Sequence, residues 1–172
     1  MNILKLTLLS TLIVLLNINS FGQSPDTKYK ATMEGWEVSL EEARIQSLKT
    51  GKPILANFTG SDWCGWCIKL KRDVFVTNEF KKWAEKNVIL LELDFPKRMV
   101  IPQDIKKQNA ELAQAFGVRG YPTVWIFELS QKSKTGESKI NGLATTGYMA
   151  NANSWIKDIE GKLTASKVKT SE

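Results

Sequence analysis

Both cysteines of this chain lie within one short stretch, Ser61–Leu70, which reads SDWCGWCIKL. Cys64 and Cys67 are separated by two residues, each is preceded by a tryptophan, and the 172-residue chain contains no histidine. Such a pair can bind a metal, crosslink a loop, pack as small apolar side chains or exchange electrons. These four uses make different demands on the rest of the sequence, so the sequence can be tested against each.

A structural zinc site takes four sulfur or nitrogen ligands. One molecule offers two, so only a dimer that shares two cysteine pairs would complete such a site, and we expect no metal. A disulfide that closes so short a loop removes little chain entropy and adds little stability. Inert buried cysteines are common, but two at this spacing, beside Gly65 and two tryptophans at a predicted strand-to-helix junction, would be a coincidence. The pattern therefore favours redox chemistry.

Redox chemistry needs the arrangement that this spacing predicts. If a helix begins near Cys64, its thiol faces unpaired backbone N–H groups and the positive end of the helix dipole, which favour the thiolate. Cys67 then lies one turn further along the same helix face. The sequence thus predicts Cys64 as the exposed attacking nucleophile and Cys67 as the shielded thiol that resolves a mixed disulfide.

The pattern around the cysteines alternates between predicted strands and helices. Ser39 and Thr77 are predicted helix N-caps, and Gly51 is a predicted helix stop. The segment 95–108 is predicted as a long loop, which either contacts a partner or is a plain surface insertion. Four apolar runs predict strands: PILANFTG, VILLELD, VWIFEL and INGLATTGY. The final helix is predicted to present one apolar face: Trp155, Ile156, Ile159 and Leu163. This alternation is typical of an α/β fold with a mixed sheet.

Pro122 stands in the segment GVRGYPTV, in a turn directly before an apolar strand. Its X–Pro bond is a candidate cis peptide. The alternative is a trans proline that opens an edge strand. The cysteine pair upstream favours the first interpretation.

The segments FTGSDWCGWC and GVRGYPTV together resemble those of the thioredoxin superfamily, and most of all its exported bacterial thioredoxin-like proteins. The resemblance covers roughly Trp36 to Leu163. It implies a thioredoxin-like α/β fold, with a central mixed sheet flanked by helices. By the match of motif positions, Cys64 is the nucleophile, Cys67 the resolving thiol and Pro122 the cis-proline beside them. The resemblance also implies a substrate-contacting set around the thiols: Trp63, Gly65, Trp66, Tyr121 and Pro122.

Two departures from the family pattern alter what can be carried over. Trp66 stands where the family usually has proline, and it either forms part of a substrate platform or shields Cys67. The reduction potential of thioredoxin itself therefore cannot be assigned to this chain. The buried aspartate before the motif is matched by Asn57, and an amide cannot act as a base. The lysine that usually pairs with that aspartate is matched by Leu90. Proton transfer for Cys67 then falls to water or to one of two carboxylates, Asp62 and Glu92.

The N-terminal segment, 1–22, has the pattern of a cleaved signal peptide. It carries one lysine and an apolar stretch from Leu6 to Leu16, and then Ser20 and Gly22 place cleavage before Gln23. The apolar stretch is shorter than the roughly 20 residues of a spanning helix, so an uncleaved anchor is the alternative. The mature protein is therefore expected to be exported, periplasmic or secreted, where disulfides can form.

The remaining chain divides into a predicted linker, 23–33, a thioredoxin-like domain, 34–163, and a flexible tail, 164–172. Cleavage removes Lys5 and lowers the net charge from +6 to +5. The basic residues are scattered among acidic ones without long runs of like charge, which favours a solvated surface over a nucleic-acid site. We expect no nucleic-acid partner.

The sequence therefore predicts an exported thiol:disulfide oxidoreductase that reduces protein disulfides through Cys64 and Cys67. It is expected to be a monomer without a cofactor beyond this dithiol, and a membrane-bound electron donor is expected to regenerate it. An oxidase or isomerase is the alternative within the same class. The rival from another class is a non-catalytic binding module at the cell envelope that uses the surface around Trp66 and Tyr121.

Overall fold

The run ILANFT forms the central strand of the structure, β1 (Ile54–Thr59), which is buried along its whole length. The structure is a computed structural model that describes residues 29–130 and 138–170, and the predicted signal peptide lies outside them. Buried continuous apolar runs are what a central strand covered on both faces requires.

The four predicted strands form one sheet in the order β2–β1–β3–β4. The second strand, β2 (Ile89–Asp94), runs parallel to β1. The other two, β3 (Thr123–Leu129) and β4 (Ile140–Thr146), extend the sheet on the opposite side with antiparallel pairing. The predicted mixed sheet, and with it the thioredoxin-like α/β fold class, is confirmed.

Within the described residues, five helices flank this sheet. They are α1 (Leu40–Thr50), α2 (Gly65–Leu70), which continues into a π-helical turn (Lys71–Phe75), α3 (Asn78–Asn87), α4 (Gln103–Ala115) and α5 (Ala152–Thr170). Among the residues that the structure describes, none of these helices combines the length and apolarity needed to cross a membrane.

The predicted helix ends are confirmed. The Ser39 hydroxyl accepts a hydrogen bond from the N–H of Glu42, and the Thr77 hydroxyl accepts one from the N–H of Phe80, as N-caps do. Gly51 ends α1 in the left-handed conformation, with φ of 72°, which favours glycine.

Alternation along β1 divides the core between the two faces of the sheet. Leu55 packs on one face with aromatic residues from α3, α5 and the π-helical turn. Ile54, Ala56 and Phe58 pack on the other face with residues of α1 and α4. Since side chains alternate along a strand, Asn57 lies on the same face as Leu55. This is the face beneath α2 and its cysteines.

The loop after β2 is shorter than the sequence predicts. It spans 95–102, because α4 begins at Gln103 and takes in residues that were expected to lie in the loop to position 108. Gln108 explains the difference: its side chain accepts from the N–H of Leu40 at 2.8 Å and donates to the carbonyl of Val38 at 2.9 Å. These bonds fix the helix against the start of α1.

The two ends of the predicted domain also differ from expectation. Helix α5 runs on through 164–170, which the sequence predicts as a flexible tail, because no proline or glycine follows Gly161 to end it. The end of the predicted linker, 23–33, is packed rather than free. Met33 is buried in the core cluster with Trp36, and Ala31 packs against the same cluster.

Trp155 is the centre of the aromatic core and provides a direct test of the fold. Its ring is fully buried, lies within 6.0 Å of the rings of Phe75, Phe80 and Trp83, and donates to the carbonyl of Gly147. We expect Trp155→Ala to lower the free energy of unfolding by about 3–5 kcal/mol, because it leaves a large cavity.

Trp66→Ala is the matched control, because the same side chain is 56% exposed there. It should change the free energy of unfolding by less than about 1 kcal/mol. Urea unfolding of the oxidised protein measures both variants. Equal losses would contradict this account of the core.

Candidate redox site

The strand β1 delivers the chain directly to the two cysteines. After β1 ends, a short loop leads to Cys64, which is the N-cap residue of α2, while Cys67 lies within that helix. The two residues form a disulfide with their Cα atoms 5.2 Å apart. The Cys64 sulfur also accepts a hydrogen bond from the backbone N–H of Cys67 at 3.2 Å. A sulfur in this position faces the positive end of the helix, which stabilises negative charge.

Both cysteines are buried in this disulfide-bonded structure. Cys64 is 6% exposed and Cys67 is 4% exposed. The sequence predicts an exposed Cys64 beside a shielded Cys67, and the oxidised protein does not show that difference. Cys64 is buried because, as the N-cap residue, it directs its sulfur toward the helix and the sulfur of Cys67.

Trp63 connects the cysteine loop to the rest of the site. Its indole N–H donates to the carbonyl of Phe95 at 2.8 Å, and its ring meets that of Tyr121 edge-on at 5.9 Å. The Lys97 ammonium lies 3.9 Å from the ring centroid. Gly60 permits this placement, because a Cβ there would lie 2.5 Å from an indole carbon. Trp63 is therefore a packed residue with one exposed side, and its exposed fraction is 37%.

Trp66 lies between the two cysteines in the sequence and forms an exposed aromatic surface. Its ring contacts that of Tyr148 with centroids 5.0 Å apart, and the Lys69 ammonium lies 4.3 Å from its centroid. Gly65, between Cys64 and Trp66, is exposed, and a Cβ there would meet nothing within 4 Å. The side of α2 that carries Gly65 and Trp66 is therefore open to solvent.

The Tyr121–Pro122 peptide bond is cis. Thr123, the next residue, pairs with Phe58 near the end of β1, so the sheet register brings Pro122 to the edge from which the cysteine loop departs. The ring contact between Trp63 and Tyr121 joins the two segments directly. The structure thus brings together at one sheet edge the residues that the sequence analysis singled out.

A cavity of about 210 Å³ lies beside the buried side of the disulfide. Its lining includes Cys67, Asn57 and Glu92, together with Thr32 and Lys71. The Asn57 side-chain oxygen is buried and has no hydrogen-bond partner among the residues that the structure describes. The cavity therefore joins the resolving cysteine to a buried carboxylic acid.

Glu92 is 2% exposed and is held by the segment that precedes the domain. One carboxylate oxygen accepts from the N–H of Thr32, and the other from the Thr32 hydroxyl, each at 2.7 Å. Burial raises the pKa of Glu92 above its ordinary value of 4.5; the two Thr32 bonds and Lys71 oppose this rise, and Asp94 adds to it. Burial also raises the pKa of Tyr29 to about 12, with contributions from Asp94 and Glu92.

Asp62, the other carboxylate considered for proton transfer, serves a different purpose. It accepts hydrogen bonds from three consecutive backbone N–H groups, those of Lys97, Arg98 and Met99, at 3.0, 2.6 and 3.1 Å. These bonds, led by that from Lys97, lower the pKa of Asp62. The carboxylate therefore stays ionised and anchors the loop 95–102 beside Trp63.

Three residues at or near the site were missed by the sequence analysis: Thr32, Lys71 and Tyr148. Thr32 lies in what was predicted to be a linker, and nothing in its local sequence marks it. The Lys71 ammonium donates to the carbonyl of Thr32 at 2.9 Å, a contact across the fold that local patterns do not reveal. Tyr148 follows β4 directly, so its position at the same sheet edge was the one available signal.

The described residues, 29–130 and 138–170, contain no group of three or more histidine, cysteine or acidic side chains that could hold a metal ion.

The mixed sheet flanked by helices, with a C-x-x-C disulfide at the start of a helix, is the arrangement of a thioredoxin-like protein. The thioredoxin-like domain family matches residues 40–152, and the chain belongs to that family. Its class is the thioredoxin superfamily, with the paired cysteines of the thiol:disulfide oxidoreductases.

Two curated relatives come from Chlamydia pneumoniae. The disulfide bond reductase DsbH is 37% identical over 97 residues, which are 56% of this chain and 58% of that protein. The thioredoxin-related protein DsbJ is 26% identical over 128 residues, which are 74% of this chain and 36% of that protein. The chain thus spans less than two thirds of the length of either relative.

A solved structure of a DsbH oxidoreductase superimposes with a TM-score of 0.64 and 31% identity, covering 75% of this chain and 83% of that one. A thioredoxin from Thermus thermophilus superimposes with a TM-score of 0.50 and 14% identity, covering 71% and 82%. The second likeness supports the fold alone.

The raised pKa of Glu92 predicts a pH dependence of stability. The folded protein holds this proton more tightly than the unfolded chain, so stability falls as the pH rises from about 4.5 through the higher folded pKa. We expect Glu92→Gln to remove this fall. The free energy of unfolding of the variant minus that of the wild type should therefore increase from pH 4 to pH 8. The increase should be about 1.4 kcal/mol for each pH unit between the folded and unfolded pKa values of Glu92.

Urea unfolding of the oxidised proteins at both pH values measures this gain. Glu79→Gln changes an exposed carboxylate on α3 and should show no such growth. A Glu92→Gln effect of equal size at both pH values would contradict the raised pKa.

Proposed function

We propose that this protein is an exported thiol:disulfide oxidoreductase that reduces disulfides in protein substrates. The observation that carries the proposal is the Cys64–Cys67 disulfide at the N-terminus of α2, with the Cys64 sulfur accepting the N–H of Cys67. This hydrogen bond and the helix dipole stabilise a thiolate on Cys64 once the pair is reduced.

In the proposed first step, the Cys64 thiolate attacks one sulfur of a substrate disulfide. The substrate S–S bond breaks, a mixed disulfide forms through Cys64, and the displaced substrate sulfur leaves as a thiolate and takes up a proton. The exposed aromatic surface of Trp63 and Trp66 flanks the point of attack, and the backbone of Tyr121 beside Pro122 is available to pair with an extended substrate segment.

In the second step, the thiolate of Cys67 attacks the sulfur of Cys64. The mixed disulfide breaks, the second substrate sulfur leaves, and the Cys64–Cys67 disulfide forms. Two electrons have then passed from the protein to the substrate. No cofactor beyond the dithiol takes part in this scheme.

The reducing direction rests on likeness rather than on geometry. The relative DsbH is named a disulfide bond reductase, and the residues between the cysteines are glycine and tryptophan, without the histidine of strongly oxidising relatives. A protein that reduces substrates needs an electron source, and we propose a membrane-bound donor that returns the disulfide to the dithiol.

Export and a monomeric state complete the proposal. The signal-peptide pattern of residues 1–22 supports export, because it would deliver the protein to a compartment where substrates hold disulfides. Each chain carries both thiols of its own site, so the proposed reaction requires no second copy.

Mixed disulfides trapped on Cys64 test the proposed mechanism. Cys67→Ser leaves Cys64 able to attack but removes the thiol that resolves the mixed disulfide, so we expect stable protein adducts that dithiothreitol releases. Non-reducing electrophoresis after exposure to disulfide-containing proteins measures them. Cys64→Ser is the matched control and should yield none. A protein that binds partners equally in all forms and gives no reducible adducts is a scaffold, and the proposal would then be withdrawn.

The reduction potential tests the proposed direction of electron flow. We expect the Cys64–Cys67 pair to have a reduction potential near the roughly −270 mV of thioredoxin. Tryptophan fluorescence in dithiol buffers reports the equilibrium, because Trp63 and Trp66 flank the sulfurs. A potential near roughly −120 mV, as in strong oxidants, would instead identify a disulfide donor.

A further inference from the structure

Cys67 needs a route for its proton. A thiol has to become a thiolate before it attacks a disulfide, and Cys67 is 4% exposed. A buried thiol can lose its proton only to a neighbouring group or to water. The cavity of about 210 Å³ beside Cys67 provides the space for this transfer. A cavity of this size, lined in part by polar side chains, has room for water.

The strand register places one buried acid in that cavity. Asn57 of β1 and Glu92 of β2 are paired residues of the two parallel strands, and both line the cavity with Cys67. The amide of Asn57 cannot take up a proton from a thiol. Glu92 can, because a carboxylate accepts a proton and a carboxylic acid returns it.

The Glu92 carboxylate is held in place by a short chain of hydrogen bonds. Thr32 donates to both carboxylate oxygens, and the Lys71 ammonium donates to the Thr32 carbonyl at 2.9 Å and to its hydroxyl at 3.3 Å. Each carboxylate oxygen keeps a second lone pair for a proton or for water. These bonds thus hold the Glu92 carboxylate in place and leave lone pairs available for a proton.

The charged groups around Glu92 come from several elements. Asp94, on the same strand, favours the protonated acid, whereas Lys71, from the π-helical turn, favours the carboxylate. Tyr29 faces the two acids from the N-terminal segment, and Asp62 lines the cavity from the cysteine loop. With burial as the largest influence, the pKa of Glu92 lies above 4.5, which moves it toward the neutral range where a proton carrier is most effective.

We propose that Glu92 is the proton relay of Cys67, acting through water in the cavity that the two residues share. This inference rests on the proposed function. During substrate reduction, the Glu92 carboxylate takes the proton of the Cys67 thiol as the Cys67 sulfur attacks Cys64. The Cys64–Cys67 bond forms, the bond between Cys64 and the substrate breaks, and the substrate leaves as a thiolate. When a donor dithiol reopens the disulfide, Glu92 returns the proton to the Cys67 sulfur.

Asp62 does not take this role, although it lines the same cavity. Three backbone N–H groups donate to its oxygens and lower its pKa, whereas burial raises the pKa of Glu92. Replacement of Glu92 and replacement of Asp62 should therefore have different effects on the reaction of Cys67.

The test is a two-phase reaction of the reduced protein with the aromatic disulfide 5,5′-dithiobis(2-nitrobenzoate). Attack by Cys64 releases the first chromophore, and resolution by Cys67 releases the second, so stopped-flow absorbance follows both steps separately. Between pH 5 and pH 9 we expect Glu92→Gln to leave the first phase within about twofold of the wild type. The second phase should slow by about tenfold or more at pH 7, since a positioned general base contributes at least this much.

The difference should shrink at high pH, where hydroxide removes the thiol proton unaided. Glu92→Asp retains a carboxylate and should recover part of the second-phase rate, whereas Asp62→Asn should keep the pH profile of that phase. An unchanged second phase in Glu92→Gln, or an equal loss in both phases, would overturn the relay. A wild-type protein that releases no second chromophore would instead contradict the proposed function itself.

Discussion

The pairing of β1 on both of its edges is the constraint on which the rest of the molecule depends. Because β1 is hydrogen-bonded to β2 on one side and to β3 on the other, its end is fixed in position and direction. The cysteine loop departs from that end, and Pro122 arrives at it from β3. A strand fixed on both edges thus places the disulfide and the Tyr121–Pro122 segment side by side.

The same strand explains why the buried side of the site is polar in an otherwise apolar core. Alternation puts Asn57 on the face beneath α2, where Leu55 packs into the aromatic cluster, and the parallel register puts Glu92 beside it. A buried acid lowers stability at neutral pH, as its raised pKa indicates. Its presence in the core is therefore more consistent with a chemical role than with packing.

Much of the fold followed from local patterns, because those patterns act locally. The N-caps Ser39 and Thr77 and the stop at Gly51 are set by one or two hydrogen bonds within a few residues. The start of α4 did not follow, because Gln108 is held by α1, far away in the sequence. At the site, the cysteines and Pro122 were recognisable as a pattern, whereas Thr32, Lys71 and Tyr148 reach it only through the folded chain.

The contact between Thr32 and Glu92 has a consequence for where the functional unit begins. A fragment cut at the predicted domain boundary, starting with Glu34, would keep both cysteines and all strands and helices of the described residues. It would nevertheless lose Thr32, the partner of both Glu92 oxygens, and Met33, which lines the cavity. Such a fragment would also lose the core packing of Ala31 and Met33. Both the core and the proposed relay therefore begin before the first strand or helix, in a segment without regular secondary structure.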